Sequence, residues 1–379
     1  MYNNYSTNLK FSIFSHSLGD HSSHDLLSKI SAAALAGLRG VEISTIDLED
    51  HSSKNSISLS EAAQQVSDHC KLLNLKVVCL QPVRDVVEAK TTQEALDGTI
   101  HWFHIMDILE TDLMICCSSS LEPDMISSRF SDSVRNLRAI GIEASRFNRD
   151  DDHDGLFNLR ISRTPRRICF EALCWGTFIN TWSQAWDIVK AVDLENVGLC
   201  LDSFNTLARE WADPTVDGGI QPGADLRISN SLEKLSKTVP GSKIFLLQIA
   251  DGKKLKEPIP KGSFKTPALM TWSRSSRLFP MEFERGGYLP IQKFIRSVVM
   301  TGYDGYWSAE VFNKSLSDPN PNVPPNHAIR AIEGLIRLRS SIDKKKLFLS
   351  SRRSKSYQSF KSKNINQSIP SNFGLLPIS

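Results

Sequence analysis

The sequence predicts a closed barrel of eight parallel strands, each followed by a helix. Three observations carry that prediction. Eight short apolar or β-branched runs alternate with eight helix-like stretches over roughly 330 residues. The runs are nearly continuous in apolar residues, as strands covered on both faces must be, and parallel neighbours need a crossover helix. No G-x-G-x-x-G follows the first run, which weighs against a doubly wound open sheet.

In chain order, FSIF at 11–14 leads into the helical pattern DLLSKISAAALAG, and GVEI at 40–43 into SEAAQQVSDHCKLLN. KVVCL at 76–80 precedes QEALDGTIHWFHIMDIL, and DLMIC at 112–116 precedes RFSDSVRNLRAIGIEAS. RICFE at 167–171 is followed by WSQAWDIVKAVD, VGLCL at 197–201 by ADLRISNSLEKLSKTV, KIFLLQ at 243–248 by LPIQKFIRSVVMTG, and YWSAEV at 306–311 by NHAIRAIEGLIRLRSSI. Glycines in AALAGLRG and VVMTGYDG end two helices as left-handed caps. The organisation is a short extension (1–10), a barrel domain (11–342) with a polar insertion at 147–166, and a tail (343–379). The insertion falls on the side of the barrel away from chemistry. The long connection 250–288, after the seventh strand, falls on the side where barrel active sites are built.

Composition excludes several function classes. With 40% hydrophobic and 23% charged residues the 379-residue chain has material for a sizeable core. The opening MYNNYSTNLK has neither a secretory apolar region nor an Arg-rich amphipathic pattern, and no run approaches the ~18 apolar residues of a membrane span. Seven cysteines, mostly inside apolar runs, read as small buried hydrophobes in a reducing cytoplasm. Cys169 and Cys174 have no second pair at zinc-ribbon spacing. The net charge of +3 conceals an asymmetry: residues 344–379 carry eight Lys/Arg and no acid, leaving −5 for the rest. The body is thus mildly acidic, with no nucleic-acid partner expected, and the Ser- and Lys-rich tail reads as disordered. D-x-D-x-D-G at 150–155 opens like a calcium loop, but Ile161 stands where a bidentate Glu belongs. His16, His21 and His24 lie in a Ser-rich loop, where solvated or capping roles are commoner than metal binding.

The last four strands each present an oxygen donor at the C-terminal end: Glu171 in RICFE, Asp202 in GLCLD, Gln248 in FLLQ and Glu310 in WSAE. In a barrel these ends are neighbours on one rim. Three carboxylates that close raise one another's pKa unless a cation compensates, and an all-oxygen set suits a hard divalent ion such as Mg²⁺ or Mn²⁺. Arg84 in QPVRD and Ser273 and Arg277 in WSRSSR point to the same rim, where arginines can grip a substrate carboxylate in two-pronged fashion.

These residues carry a resemblance. EALCWG with TW at 181–182, GLCLDSFN, LQIAD, TWSRSSRLFP with ERGGYLP at 284–290, SAEVF, LQPVRD and the stretch from FSIF to GVEI are together similar to the fungal 3-dehydroshikimate dehydratases of quinate catabolism, within the xylose isomerase-like barrel superfamily. The likeness runs from about residue 10 to 340. It implies a metal-dependent conversion of 3-dehydroshikimate to protocatechuate and water, with metal on Glu171, Asp202, Gln248 and Glu310 and substrate on Arg84, Ser273 and Arg277. Two positions depart from the pattern: Phe178 stands where the family usually has His, and Asn205 where some bacterial relatives have His. The other readings are a sugar or inositol isomerase, epimerase or dehydratase on the same barrel, or a catalytically impaired relative that binds a metabolite. A homo-oligomer is compatible with all of them.

Overall fold

Eight parallel strands close into a barrel in the computed structural model, which describes residues 10–146, 165–260 and 266–343. They are β1 (Phe11–Phe14), β2 (Gly40–Ser44), β3 (Lys76–Val83), β4 (Leu113–Cys117), β5 (Arg167–Glu171), β6 (Val197–Asp202), β7 (Ile244–Ile249) and, last in the chain, β10 (Trp307–Ala309). The order around the barrel is β1-β10-β7-β6-β5-β4-β3-β2, with β2 pairing back to β1. Every strand anticipated from the sequence is present, within a few residues at its ends. β3 runs on through Pro82, and its register with β4 shifts between Leu80 and Val83, as a residue without an N–H demands.

The two-residue period of a strand sorts the side chains. Ile168, Phe170, Leu199, Leu201, Leu247 and Ile249 face outward and pack with the surrounding helices in the main apolar cluster. Cys79, Ile115, Cys117, Cys169, Cys200 and Leu246 form a second cluster inside the barrel. All seven cysteines are free and buried, and these four serve as interior filling. The same parity sets the rim: the residues two places after Cys169, Cys200 and Leu246 are Glu171, Asp202 and Gln248.

Helices connect the strands, and their ends follow local chemistry. Asp25 caps Leu26–Ala36 by accepting from the Ser28 N–H, and Gly37 closes it with φ of 97°, a conformation easy only for glycine. Ser58, Thr91 and Thr181 each start a helix with a reciprocal capping box. Three helices lie where none was anticipated, Thr45–Asn55 and Ser203–Glu210 directly after β2 and β6 and Ala268–Ser276 in the long connection, and the stretch expected as one helix from Gln93 is two, Thr92–Asp97 and Ile100–Ile108. That connection also forms a small antiparallel ribbon, β8 (Asp251–Gly252) with β9 (Arg277–Leu278). Residues 323–343 are helical. The acidic motif at 150–155, nearly all of the 147–166 insertion and the basic tail lie outside the described residues. Among the described residues no helix is long and apolar enough to cross a membrane.

The Trp-Gly corner after β5 is tightly built. A Cβ on Gly176 would sit 2.1 Å from the Ile179 carbonyl oxygen and 2.7 Å from Ser118 Oγ. Gly176→Ala must push the corner apart, and overpacking of this kind costs about 1–3 kcal/mol. A lower urea midpoint at unchanged m-value is the expected result, and an unchanged midpoint would show that the corner yields freely.

Candidate active site

The β-strand ends bring the sequence-predicted donors together. Glu171 closes β5, Asp202 closes β6, Gln248 lies opposite Asp202 on β7, and Glu310 follows β10 directly. All four side chains are buried. One carboxylate oxygen from each of Glu171, Asp202 and Glu310 lies within 4.8 Å of the others. Burial, together with the charge of Asp202, raises Glu171 to about 7, against the opposing pull of Arg277. Burial pushes Glu310 well above the ordinary carboxylate range, with Arg277 again opposing. The trio is therefore short of positive charge, and its all-oxygen chemistry and convergence fit a divalent cation.

Arg277 supplies the positive charge that the protein itself offers. Its Nη1 donates to Asp202 Oδ2 at 2.7 Å and to Glu310 Oε2 at 2.9 Å, while Nε donates to Ser273 Oγ at 2.9 Å. The guanidinium lies 4.4 Å from the Phe204 ring centroid and 5.2 Å from that of Phe312. With 1% of its surface exposed, Arg277 bonds the acid cluster because helix Ala268–Ser276 and β9 deliver it into the barrel mouth, where it and Ser273 also line the cavity. Ser273 is buried beneath it.

Asn205, at the start of helix Ser203–Glu210, positions two of the acids. Its Nδ2 donates to Glu171 Oε1 at 2.8 Å and to Asp202 Oδ2 at 2.9 Å, and its Oδ1 accepts from the Cys174 N–H at 3.1 Å. Asp202 Oδ1 in turn caps that helix by accepting from Phe204 N at 2.6 Å. Cys117 Sγ donates to Glu171 Oε2 at 3.3 Å.

Beneath the trio lies a second layer absent from the sequence reading. Glu42 on β2 is fully buried. Gln81 Nε2 and Gln248 Nε2 each reach Glu42 Oε2 at 2.8 Å, and they reach Glu310 Oε1 at 3.1 Å and 3.2 Å. Burial raises Glu42 despite these bonds. Gln248 therefore faces Glu310 through its nitrogen, while its oxygen accepts from Cys200 Sγ at 3.3 Å. Glu42 carried the same signal as the others, a carboxylate late in an apolar strand, but on the opposite side of the barrel from the four strands singled out.

The mouth is a narrow cavity of about 60 Å³. Its polar lining includes Arg84, Ser273 and Arg277, the three residues expected at this rim, and also Arg274, a neighbour in the same WSRSSR segment. Burial and the nearby charge of Arg84 lower the pKa of Arg274, so the two arginines share one field. Phe14, Trp175 and Phe312 supply apolar wall. Phe178 lines a separate cavity with Ser127, Phe130 and Gln184. Of the loop histidines, only His16 reaches the mouth. His21 bonds Ser23 and His24 reaches the Asn320 carbonyl. Asp251 of the LQIAD motif is structural: it accepts from the N–H groups of Tyr288 at 3.0 Å and Leu289 at 2.8 Å, fastening the ERGGYLP loop.

This geometry can be set beside known proteins. A family described as xylose isomerase-like TIM barrel matches residues 30–337. A 3-dehydroshikimate dehydratase of Neurospora crassa is 33% identical over 344 residues, covering 85% of this chain and 91% of the relative. A 3-dehydroshikimate dehydratase of Pseudomonas aeruginosa is 32% identical, covering 82% of this chain but only 39% of the relative. Among solved structures, a xylose isomerase-like TIM barrel/4-hydroxyphenylpyruvate dioxygenase fusion protein superposes with TM-score 0.67 at 27% identity, over 92% of this chain and 45% of that one. IOLI protein with a binding zinc atom superposes with TM-score 0.62 at 16% identity, over 88% of this chain and 99% of that one, a likeness of fold alone.

The acid cluster and Arg277 give a direct expectation. Arg277→Met leaves buried carboxylates uncompensated, a change that costs about 3–5 kcal/mol. The variant should melt earlier than the unaltered protein, and Mn²⁺ should raise its melting temperature by the larger increment. Equal increments in both proteins would show that cation and guanidinium do not answer the same charge.

Proposed function

The chain belongs to the xylose isomerase-like TIM barrel family and is a lyase of the dehydratase type, and we propose that it converts 3-dehydroshikimate to protocatechuate and water with a divalent cation, Mg²⁺ or Mn²⁺, at the acid cluster. The observation that carries this reading is the convergence of Glu171, Asp202 and Glu310 within 4.8 Å, buried at the mouth of a barrel. The identity to the Neurospora enzyme across 91% of that enzyme's length supports the choice of substrate.

Each group has a part. Glu171, Asp202 and Glu310 would hold the cation, with Gln248 as fourth donor once its amide is reversed to present the oxygen. A divalent cation bound there supplies Lewis-acid stabilisation of the negative charge that develops on a ketone oxygen when the neighbouring carbon loses a proton. Asn205 keeps Glu171 and Asp202 oriented through its two amide hydrogen bonds. Arg84 and Arg274, which share the cavity lining with Ser273 and Arg277, are placed to take the substrate carboxylate. A polyol substrate would have no use for that pair, which favours dehydroshikimate over a sugar. Phe14, Trp175 and Phe312 exclude water from the reacting carbons. In the reaction a C–H bond beside the ketone and the C–O bond of the β-hydroxyl break, water leaves, and enolisation completes an aromatic ring, so the later steps run downhill.

A cytoplasmic setting belongs to the same reading and rests on seven free cysteines, all buried.

Ultraviolet detection of protocatechuate from purified protein, 3-dehydroshikimate and Mn²⁺, with a chelator control, tests the reading. Product that vanishes with chelator and returns with Mn²⁺ is expected; product indifferent to chelator would remove the cation from the reaction. Glu171→Ala and Glu310→Ala should lose turnover and cation retention together, and full activity in either would sink the assignment. Loss of a charge-assisted contact of ~1.5–3 kcal/mol predicts that Arg84→Ala raises KM about 10- to 100-fold. An unchanged KM would take Arg84 out of the substrate site.

A further inference from the structure

The mouth cavity contains one titratable group that neither the cation cluster nor the carboxylate clamp uses. His16 sits in the short turn Ser15–Leu18 after β1, with 20% of its side chain exposed, and lines the cavity together with Gln81, Arg84, Glu171 and Glu310. Its Nδ1 lies 3.1 Å from Asp47 Oδ1. Asp47 belongs to the first turn of helix Thr45–Asn55 and is itself held from several sides: Ser15 Oγ donates to Oδ2 at 2.6 Å, and Lys29 Nζ donates to Oδ1 at 2.9 Å from a nearly buried position. Burial alone would raise Asp47, but the Lys29 ammonium and the His16 and Ser15 hydrogen bonds overcome it and bring it down to about 2.

In a neutral imidazole so placed, an ionised Asp47 accepts the proton on Nδ1 and leaves the lone pair on Nε2. Among the described residues, no hydrogen bond engages Nε2. The rings of Phe14 and Phe312, 6.0 Å and 5.9 Å away, hold the imidazole from its sides. A histidine oriented by a buried carboxylate, with its far nitrogen unengaged beside the cavity, is the arrangement of a general base.

We propose that His16, oriented by Asp47, is the catalytic residue that moves the proton in the elimination. Nε2 takes the proton from the carbon beside the ketone. The electrons of that C–H bond form the new C=C bond as the C–O bond of the β-hydroxyl breaks. The imidazolium then returns the proton to the departing oxygen, so water leaves and His16 ends neutral. No oxidant or co-reactant is needed. The proposal rests on the dehydratase reading above and gives one histidine both halves of the proton transfer.

The test uses His16→Ala in the full chain, with Mn²⁺ binding as the check on folding. Turnover should fall about 10²- to 10⁴-fold, KM and Mn²⁺ affinity should stay within about threefold, and added imidazole should restore at least part of the rate, with substituted imidazoles ranking by basicity. A purely structural histidine would show no such rescue. His16→Ala at the unaltered rate, or a deficit that no imidazole relieves, would overturn the proposal. A second readout is independent of substrate: ¹⁵N NMR should show His16 protonated on Nδ1 and Asp47→Asn should shift that population, whereas protonation on Nε2 in the resting protein overturns the dyad. Absence of any 3-dehydroshikimate turnover in the unaltered protein would instead count against the substrate, and is thereby distinguished from failure of the dyad.

Discussion

The burial of three carboxylates at one point of the barrel rim is the constraint on which the rest of this protein depends. Like charges within 4.8 Å in a water-poor place are tolerable only if protonated, paired with a cation, or fed with hydrogen bonds. All three remedies are visible. Burial raises Glu171 and Glu310, Arg277 enters between Asp202 and Glu310, and Asn205, Cys117, Gln81 and Gln248 donate to what remains. Electrostatics of this kind contributes little to stability for its own sake. A cluster that needs so much support is better understood as a functional requirement that the fold accommodates.

The accommodation reaches far along the chain. Arg277 can enter the mouth only because the connection after β7 folds into a helix and a ribbon that turn inward, with Asp251 tying down the loop that follows. Asn205 reaches Glu171 because a helix begins immediately after β6, with Asp202 as its cap. One carboxylate thus ends a strand, starts a helix and joins the cluster. Motifs such as GLCLDSFN and LQIAD combine donors to the site with residues that fix the donors in place. On the far side of the barrel, Asp47 plays a similar double part, capped by Ser44 at the start of its helix while orienting His16 in the cavity.

Much of this was legible in the chain itself. Apolar runs and their two-residue period determine the strands, which residues face the helices and which fill the barrel, because a strand buried on both faces has few alternatives. Parallel topology then puts every strand's C-terminal end on one rim, so Glu171, Asp202, Gln248 and Glu310 could be grouped from sequence, as could the placement of Arg84 at the mouth. What the sequence could not decide is which side chains meet across the barrel. Glu42 and Gln248 are 206 residues apart, Arg277 and Asp202 are 75 apart, and His16 and Asp47 are 31 apart. Their contacts depend on barrel closure, on where each loop turns and on which amide face or ring nitrogen points inward. These are properties of relative position in three dimensions, and a pattern read along one chain holds no distance between its distant parts.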